Sequence, residues 1–237
     1  MELLRGGGGV VCVGHRGAAL LAPENTLAAI EAAAAHGADL VELDVVPAPD
    51  GSLVLAHGPG IPQDSPSLDH GLALVPRLGI GTQMDVKVAG LERGVAAALR
   101  RHDLLDRSFV SSFSASILQG FAAAEPTLPR SLTYPEDRHG VSGNRVLGPA
   151  LAPVLTVLRA VLPVRLPRLL HAVEARAATL NAAVVSRRAV EVCHRLGVAV
   201  YVWTINDSGL AAALVEMGAD GIITDDPRIL PRGIDSR

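Results

Sequence analysis

The sequence predicts an α/β fold, a (β/α)8 barrel of the TIM type forming one domain over residues 1–237. Three observations predict it. Short apolar strands alternate with alanine- and leucine-rich helical stretches along nearly the whole chain. Repeated strand-then-helix units make neighbouring strands parallel, with right-handed crossovers. A length of 237 residues suits one such barrel. No Gly-x-Gly-x-x-Gly follows a strand, which weighs against an open dinucleotide-binding sheet.

The elements follow in order. Val10–His15 reads as the first strand. Asn25–His36 reads as a helix, with Asn25 or Thr26 at its start and Gly37 just past its end. Leu40–Val46 is the second strand, and Gly51–Ala56 a short extra strand after the turn Pro49-Asp50-Gly51. Gln83–Val88 is the third main strand, followed by a helix over Leu91–His102. Strand Ser108–Ser112, helix Ala115–Ala124 and strand Arg130–Tyr134 continue the pattern, and a long irregular segment follows. A strand near Thr179–Asn181, helix Arg187–Leu196, strand Ala199–Thr204, helix Leu210–Met217 and strand Gly221–Thr224 complete eight core strands.

Composition narrows the class. Hydrophobic residues make up 49% of the chain, ample for a packed core. A net charge of −3 gives no sign of a nucleic-acid-binding surface. Cys12 and Cys193 read as buried free thiols rather than a bridge, which favours a reducing, cytoplasmic setting. Residues 1–9 carry four glycines and no continuous apolar run, so they read as a flexible leader rather than a signal peptide or phosphate loop. The stretch Val146–Leu170 is nearly all apolar but is broken by Pro149, Pro153, Pro163 and Pro167 and by Arg159, Arg165 and Arg168. That excludes a membrane span. It reads as a helix packed on the barrel with its connecting loops, or alternatively as a lid making transient contact with a membrane surface.

Functional residues of a barrel gather at the carboxyl ends of its strands. His15 ends the first strand, with Arg16 beside it. Glu42 and Asp44 are two apart on the second strand, so both face the same way. Asp85 and Lys87 repeat that spacing on the third, and His57 follows the short extra strand. Three carboxylates in one low-dielectric pocket repel, and burying them unpaired costs several kcal/mol each. A hard divalent cation resolves the conflict, and all-oxygen ligands point to Mg²⁺ or Ca²⁺ rather than zinc. Arg16 and Lys87 add positive charge suited to a phosphate. Two histidines can serve as base and acid near neutral pH. Each piece alone has a structural explanation: a hydrogen-bonded histidine, an exposed strand face, a surface ion pair, a helix cap at Pro23-Glu24-Asn25-Thr26. Their conjunction at successive strand ends carries the chemistry. The remaining histidines, at positions 36, 70, 102, 139, 171 and 194, have no assigned role. Trp203 ends the seventh strand and is either pocket wall or core.

Taken together, Gly14-His15-Arg16-Gly17, Pro23-Glu24-Asn25-Thr26, Glu42-Leu43-Asp44-Val45, Asp50-Gly51, His57, Trp203-Thr204-Ile205-Asn206 and Gly221-Ile222-Ile223-Thr224-Asp225 resemble the glycerophosphodiester phosphodiesterase family. The resemblance implies a TIM barrel with a metal-dependent site. It makes His15 and His57 the acid–base pair, and Glu42, Asp44 and Asp85 the ligands of one divalent cation. Arg16 and Lys87 become phosphate contacts, with Trp203 a further substrate contact. Three features depart from the family. Asp85 is one methylene shorter than the family's glutamate. His57 is followed by Gly58-Pro59-Gly60 rather than by aspartate and an arginine-threonine stretch. The span from His57 to Asp85 is only 28 residues, which shortens the insertion after the second strand that covers the substrate.

The implied activity is hydrolysis of glycerophosphodiesters, small-molecule substrates, to sn-glycerol 3-phosphate and an alcohol. Two alternatives stay open. One is a lysophospholipase D acting on lysophospholipids at a membrane surface. The other is a barrel that binds phosphorylated ligands without cleaving them.

Overall fold

The computed structural model describes residues 2–4, 9–58, 60–135 and 148–230, with backbone alone over 148–152. His139, Pro59, most of the expected leader and the first two residues of the apolar stretch 146–170 lie outside the described residues. The first half of the barrel runs β1 (Val11–Gly14), α1 (Leu27–Ala35), β2 (Leu40–Pro47), β3 (Leu53–Leu55), α2 (Leu68–Leu74), β4 (Gly81–Val86) and α3 (Glu92–Arg101). It continues through β5 (Ser108–Ser112), α4 (Ala115–Ala124), β6 (Arg130–Tyr134) and α5 (Gly148–His171). The last part is β7 (Ala177–Asn181), α6 (Arg187–Arg195), β8 (Ala199–Trp203), α7 (Ser208–Met217) and β9 (Gly221–Thr224).

Eight of the strands close a parallel ring. The order is β1-β2-β4-β5-β6-β7-β8-β9, and β9 pairs back to β1. β3 lies outside the ring, antiparallel to the end of β2, with Val45 opposite Leu55. Strand alternation divides the side chains. Val41, Leu43, Val45, Met84 and Val86 face outward into the layer between strands and helices, which holds the main core. The inward set forms a smaller apolar floor from Val13, Leu40, Phe109, Ala177, Ala199, Tyr201 and Ile223. Leu3 packs on that floor, and its carbonyl accepts a bond of 3.2 Å from the Tyr201 hydroxyl. Toward the carboxyl ends the inward residues turn polar: Glu42, Asp44, Gln83, Asp85, Ser111, Thr133 and Thr179, all buried. Register sets Glu42 beside Gln83, Asp44 beside Asp85, and Asp85 beside Ser111.

The structure differs from the sequence reading mostly at boundaries. β1 and β4 end one residue before His15 and Lys87, so both residues open the loops that follow. α1 begins after Thr26, whose hydroxyl accepts from the Ala29 amide at 3.2 Å. β7 starts at Ala177, two residues earlier than expected. α2 has no counterpart in the sequence reading. It has seven residues and carries Gly71, because a Cβ there would come within 2.5 Å of the Leu55 side chain. The apolar stretch 146–170, read as a helix packed on the barrel with its connecting loops, is largely α5, a continuous helix of 24 residues with Pro153, Pro163 and Pro167 inside it. Buried Leu162, Leu166 and Leu170, four apart on one face, hold it to the barrel. Both cysteines are free and buried.

Candidate active site

The loop after β1 shapes the rim. Arg16 adopts φ +51 and Gly17 φ +89. A Cβ on Gly17 would meet the Ala29 backbone at 2.6 Å, so only glycine lets the turn lie against α1. The Gly17 amide is 3.2 Å from the Glu42 carbonyl, and the Asn25 amide donates to the Arg16 carbonyl at 2.9 Å. These bonds lock His15 and Arg16 over the end of β2.

Glu42, Asp44 and Asp85 each offer an oxygen, and those oxygens lie within 4.8 Å of one another. The three residues are 4%, 1% and 6% exposed. Each is held by a neutral donor. The Arg16 amide donates to Glu42 Oε2 at 2.8 Å. Asn25 Nδ2 donates to Asp44 Oδ2 at 3.0 Å while its carbonyl accepts from the Asp44 amide at 3.1 Å. Ser111 donates to Asp85 Oδ1 at 2.7 Å and accepts from Gln83 Nε2 at 2.9 Å. Cations complete the cluster. Lys87 Nζ bonds Asp44 and lies 3.3 Å from Asp85 Oδ2. Arg16 Nη1 donates to Glu24 at 2.6 Å, and its Nε is 3.2 Å from Asp44 Oδ2 without a hydrogen bond in line.

The charges are unbalanced in a telling way. Burial, with the Asp44 charge added, pushes Glu42 up to about 7. Burial also raises Asp85, although Lys87 opposes it. Asp44 goes the other way: burial would raise it, but Lys87 and Arg16 hold it below the usual range. Two carboxylates reluctant to ionise beside a third that is charged, all oriented by neutral donors and facing one point, fit a hard divalent cation. The shorter Asp85 still reaches that point.

The two histidines sit in opposite environments. His15 Nδ1 donates to Asp225 Oδ1 at 2.6 Å, leaving Nε2 as its free ring nitrogen. Burial disfavours its charge, yet the Asp225 bond and the Glu42 carboxylate outweigh that and raise its proton affinity. Asp225 is itself oriented by Asn206, whose amide donates to Oδ2 at 2.6 Å. His57 is exposed at the rim. Desolvation lowers its proton affinity, helped by Lys87 and Arg16 and opposed by Asp44 and Glu24.

All eight residues singled out from the sequence, His15, Arg16, Glu42, Asp44, His57, Asp85, Lys87 and Trp203, line one cavity of about 560 Å³. Trp203 is wall rather than core. Its Nε1 donates to the Thr179 carbonyl at 3.2 Å, and its ring meets Phe113 edge-on at 6.0 Å. Ser111, Gln83 and Phe113 were not singled out, and Asp225 and Asn25 entered only as members of matching motifs, with no site role assigned. The available signal was position. Asp225 directly follows β9 and Phe113 directly follows β5, as His15 follows β1.

Comparison with known proteins agrees. The profile of the "Glycerophosphoryl diester phosphodiesterase family" matches residues 15–70 and 80–229. The glycerophosphodiester phosphodiesterase of Caldanaerobacter subterraneus subsp. tengcongensis is 25% identical over 259 residues, covering 92% of this chain and 95% of its own. The crystal structure of glycerophosphodiester phosphodiesterase from Agrobacterium tumefaciens superposes with a TM-score of 0.71 at 22% identity, over 93% of this chain and 98% of that one. An Oleispira antarctica phosphodiesterase, solved in complex with the product sn-glycerol-3-phosphate, superposes with a TM-score of 0.72 at 21% identity, over 92% and 94%. The chain belongs to the glycerophosphoryl diester phosphodiesterase family.

Proposed function

We propose that the chain hydrolyses glycerophosphodiesters to sn-glycerol 3-phosphate and an alcohol, with one divalent cation, Mg²⁺ or Ca²⁺, held by Glu42, Asp44 and Asp85. The observation that carries this reading is the pair His15 and His57, pushed to opposite proton affinities in one cavity lined by three carboxylates and two cations. Titratable groups driven apart in this way suit an acid and a base working together. The family match and the Oleispira antarctica product complex support the substrate class.

Arg16 and Lys87, both lining the cavity, hold the phosphate. His57, neutral near pH 7, takes the proton of the attacking hydroxyl, whether of water or of the substrate's own glycerol. The new P–O bond forms as the bond to the alcohol breaks, and His15 gives its Nε2 proton to the departing alkoxide; where the glycerol hydroxyl attacks, water then opens the cyclic phosphate to glycerol 3-phosphate with the proton transfers reversed. Trp203 bounds the space for the substrate. A bound divalent cation would supply the charge that the transition state's phosphate oxygens need.

A second reading keeps the chemistry and adds an acyl chain to the glycerol side, so that the substrate is a lysophospholipid. The exposed rim at His57 and the ring wall of Phe113 and Trp203 favour it. One panel separates the readings: glycerophosphocholine, glycerophosphoethanolamine, glycerophosphoinositol and lysophospholipids, each with Mg²⁺ or Ca²⁺ and with chelator. We expect turnover of the glycerophosphodiesters, loss on chelation, and a fall of at least ~100-fold in His15→Ala and in His57→Ala. Phosphate binding without turnover of any substrate would instead make the barrel a binding protein.

A further inference from the structure

Four of the exposed large apolar residues lie on α5. Val154, Val157, Val161 and Val164 are 53%, 61%, 42% and 72% exposed. Their spacing of three, four and three places them on one stripe. Arg168 stands one further step along that stripe, and Arg165 borders it. The opposite face, with Leu162, Leu166 and Leu170, is buried on the barrel. Barrel helices run antiparallel to the strands, so α5 descends from the rim that carries the candidate site. Val154 and Val157 are therefore nearer the cavity mouth than Val164.

Charge decides what covers this stripe. No aspartate or glutamate occurs between residues 148 and 171, although the chain as a whole carries −3. Symmetric pairing with the α5 of a second copy would set Arg159, Arg165 and Arg168 near the same three arginines, with no carboxylate on either helix. An anionic surface with an apolar layer beneath its charge meets both features. A valine face bordered by arginine suits the boundary between lipid head groups and acyl chains, and guanidinium suits lipid phosphate. No helix among the described residues is long and apolar enough to cross a membrane, so the contact is one of surface docking.

We propose that the valine stripe of α5, with Arg165 and Arg168, docks the barrel on an anionic phospholipid surface. This docking does not depend on which phosphodiester is cleaved.

The test is sedimentation of the full chain with vesicles of phosphatidylcholine alone or with three-tenths phosphatidylglycerol. We expect binding to the anionic vesicles only, weakened by salt. Arg165→Ala/Arg168→Ala should weaken it by roughly 30-fold, and Val157→Ser/Val164→Ser should weaken it at unchanged lipid charge. Turnover of soluble glycerophosphocholine, measured alongside, reports folding and activity separately from docking. Equal binding to both vesicle types, no binding to either, or binding unchanged in both variants overturns the proposal. So does a concentration-dependent dimer that Val157→Ser/Val164→Ser abolishes, because the stripe would then belong to a second copy.

Discussion

Asp225 governs what His15 can do. The charge and the 2.6 Å bond it supplies offset the cost of burying a protonated imidazole. If His15 is the acid, activity falls as pH rises through its raised pKa. If His57 is the base, activity falls as pH drops through its lowered one. Asp225→Asn removes the charge and lowers the proton affinity of His15, so the alkaline limb of kcat/KM should move to lower pH while the acid limb stays. A full pH–rate profile of the variant checks this, since a merely structural defect would scale the whole curve down evenly. His15, Arg16, Glu42, Asp44, His57, Asp85 and Lys87 were legible in the sequence because charge at the end of an apolar run needs a reason. Asp225, Ser111 and Asn25 were not. Their roles are hydrogen bonds to other side chains, and pairs such as His15–Asp225, 210 residues apart, leave no local pattern.

Among the elements, α5 divides most sharply between inner and outer faces. Leu166 is fully buried, and its loss leaves a cavity between helix and barrel. Leu166→Ala should cost about 2–5 kcal/mol of stability, whereas Val157→Ser on the outer face should stay within about 0.5 kcal/mol. Urea denaturation of both variants measures the contrast. The alternation of strands and helices was readable because parallel strands buried on both faces form apolar runs that glycine, proline and caps punctuate. The boundaries shifted by a residue or two at strand ends, where β1 stops at Gly14 and β4 at Val86, each just before a charged or titratable side chain that opens the loop, His15 and Lys87. α2 escaped because Gly71 interrupts a short helix. α5 was read as a packed helix, but its continuity was not, because its three internal prolines argue for breaks locally while leucine burial decides the outcome through contacts no local rule contains.

At the scale of the whole molecule, the barrel stores an electrostatic conflict that a bound cation would relieve. Glu42 and Asp85 bind protons more tightly in the fold than in the unfolded chain. Without metal, their contribution to stability is therefore full below the ordinary carboxylate range and declines as pH rises, for Glu42 up to about 7. Asp44 acts in a separate window, losing its contribution only as pH falls below the ordinary aspartate range. A divalent cation competes with the protons on Glu42 and Asp85. Thermal melting should show Mg²⁺ or Ca²⁺ raising Tm more at pH 8 than at pH 5, and an equal shift at both would contradict the placement of the cation. The pairing of β9 with β1 has a consequence for how activity appears during synthesis. His15 and the carboxylate that orients it stand 210 residues apart, and β9 is also the strand that shuts the ring. A nascent or clipped chain lacking that strand holds the metal ligands and both histidines yet has no Asp225 to tune His15. If His15 is the acid, the seam would act as an interlock, withholding an efficient proton donor until the barrel is whole.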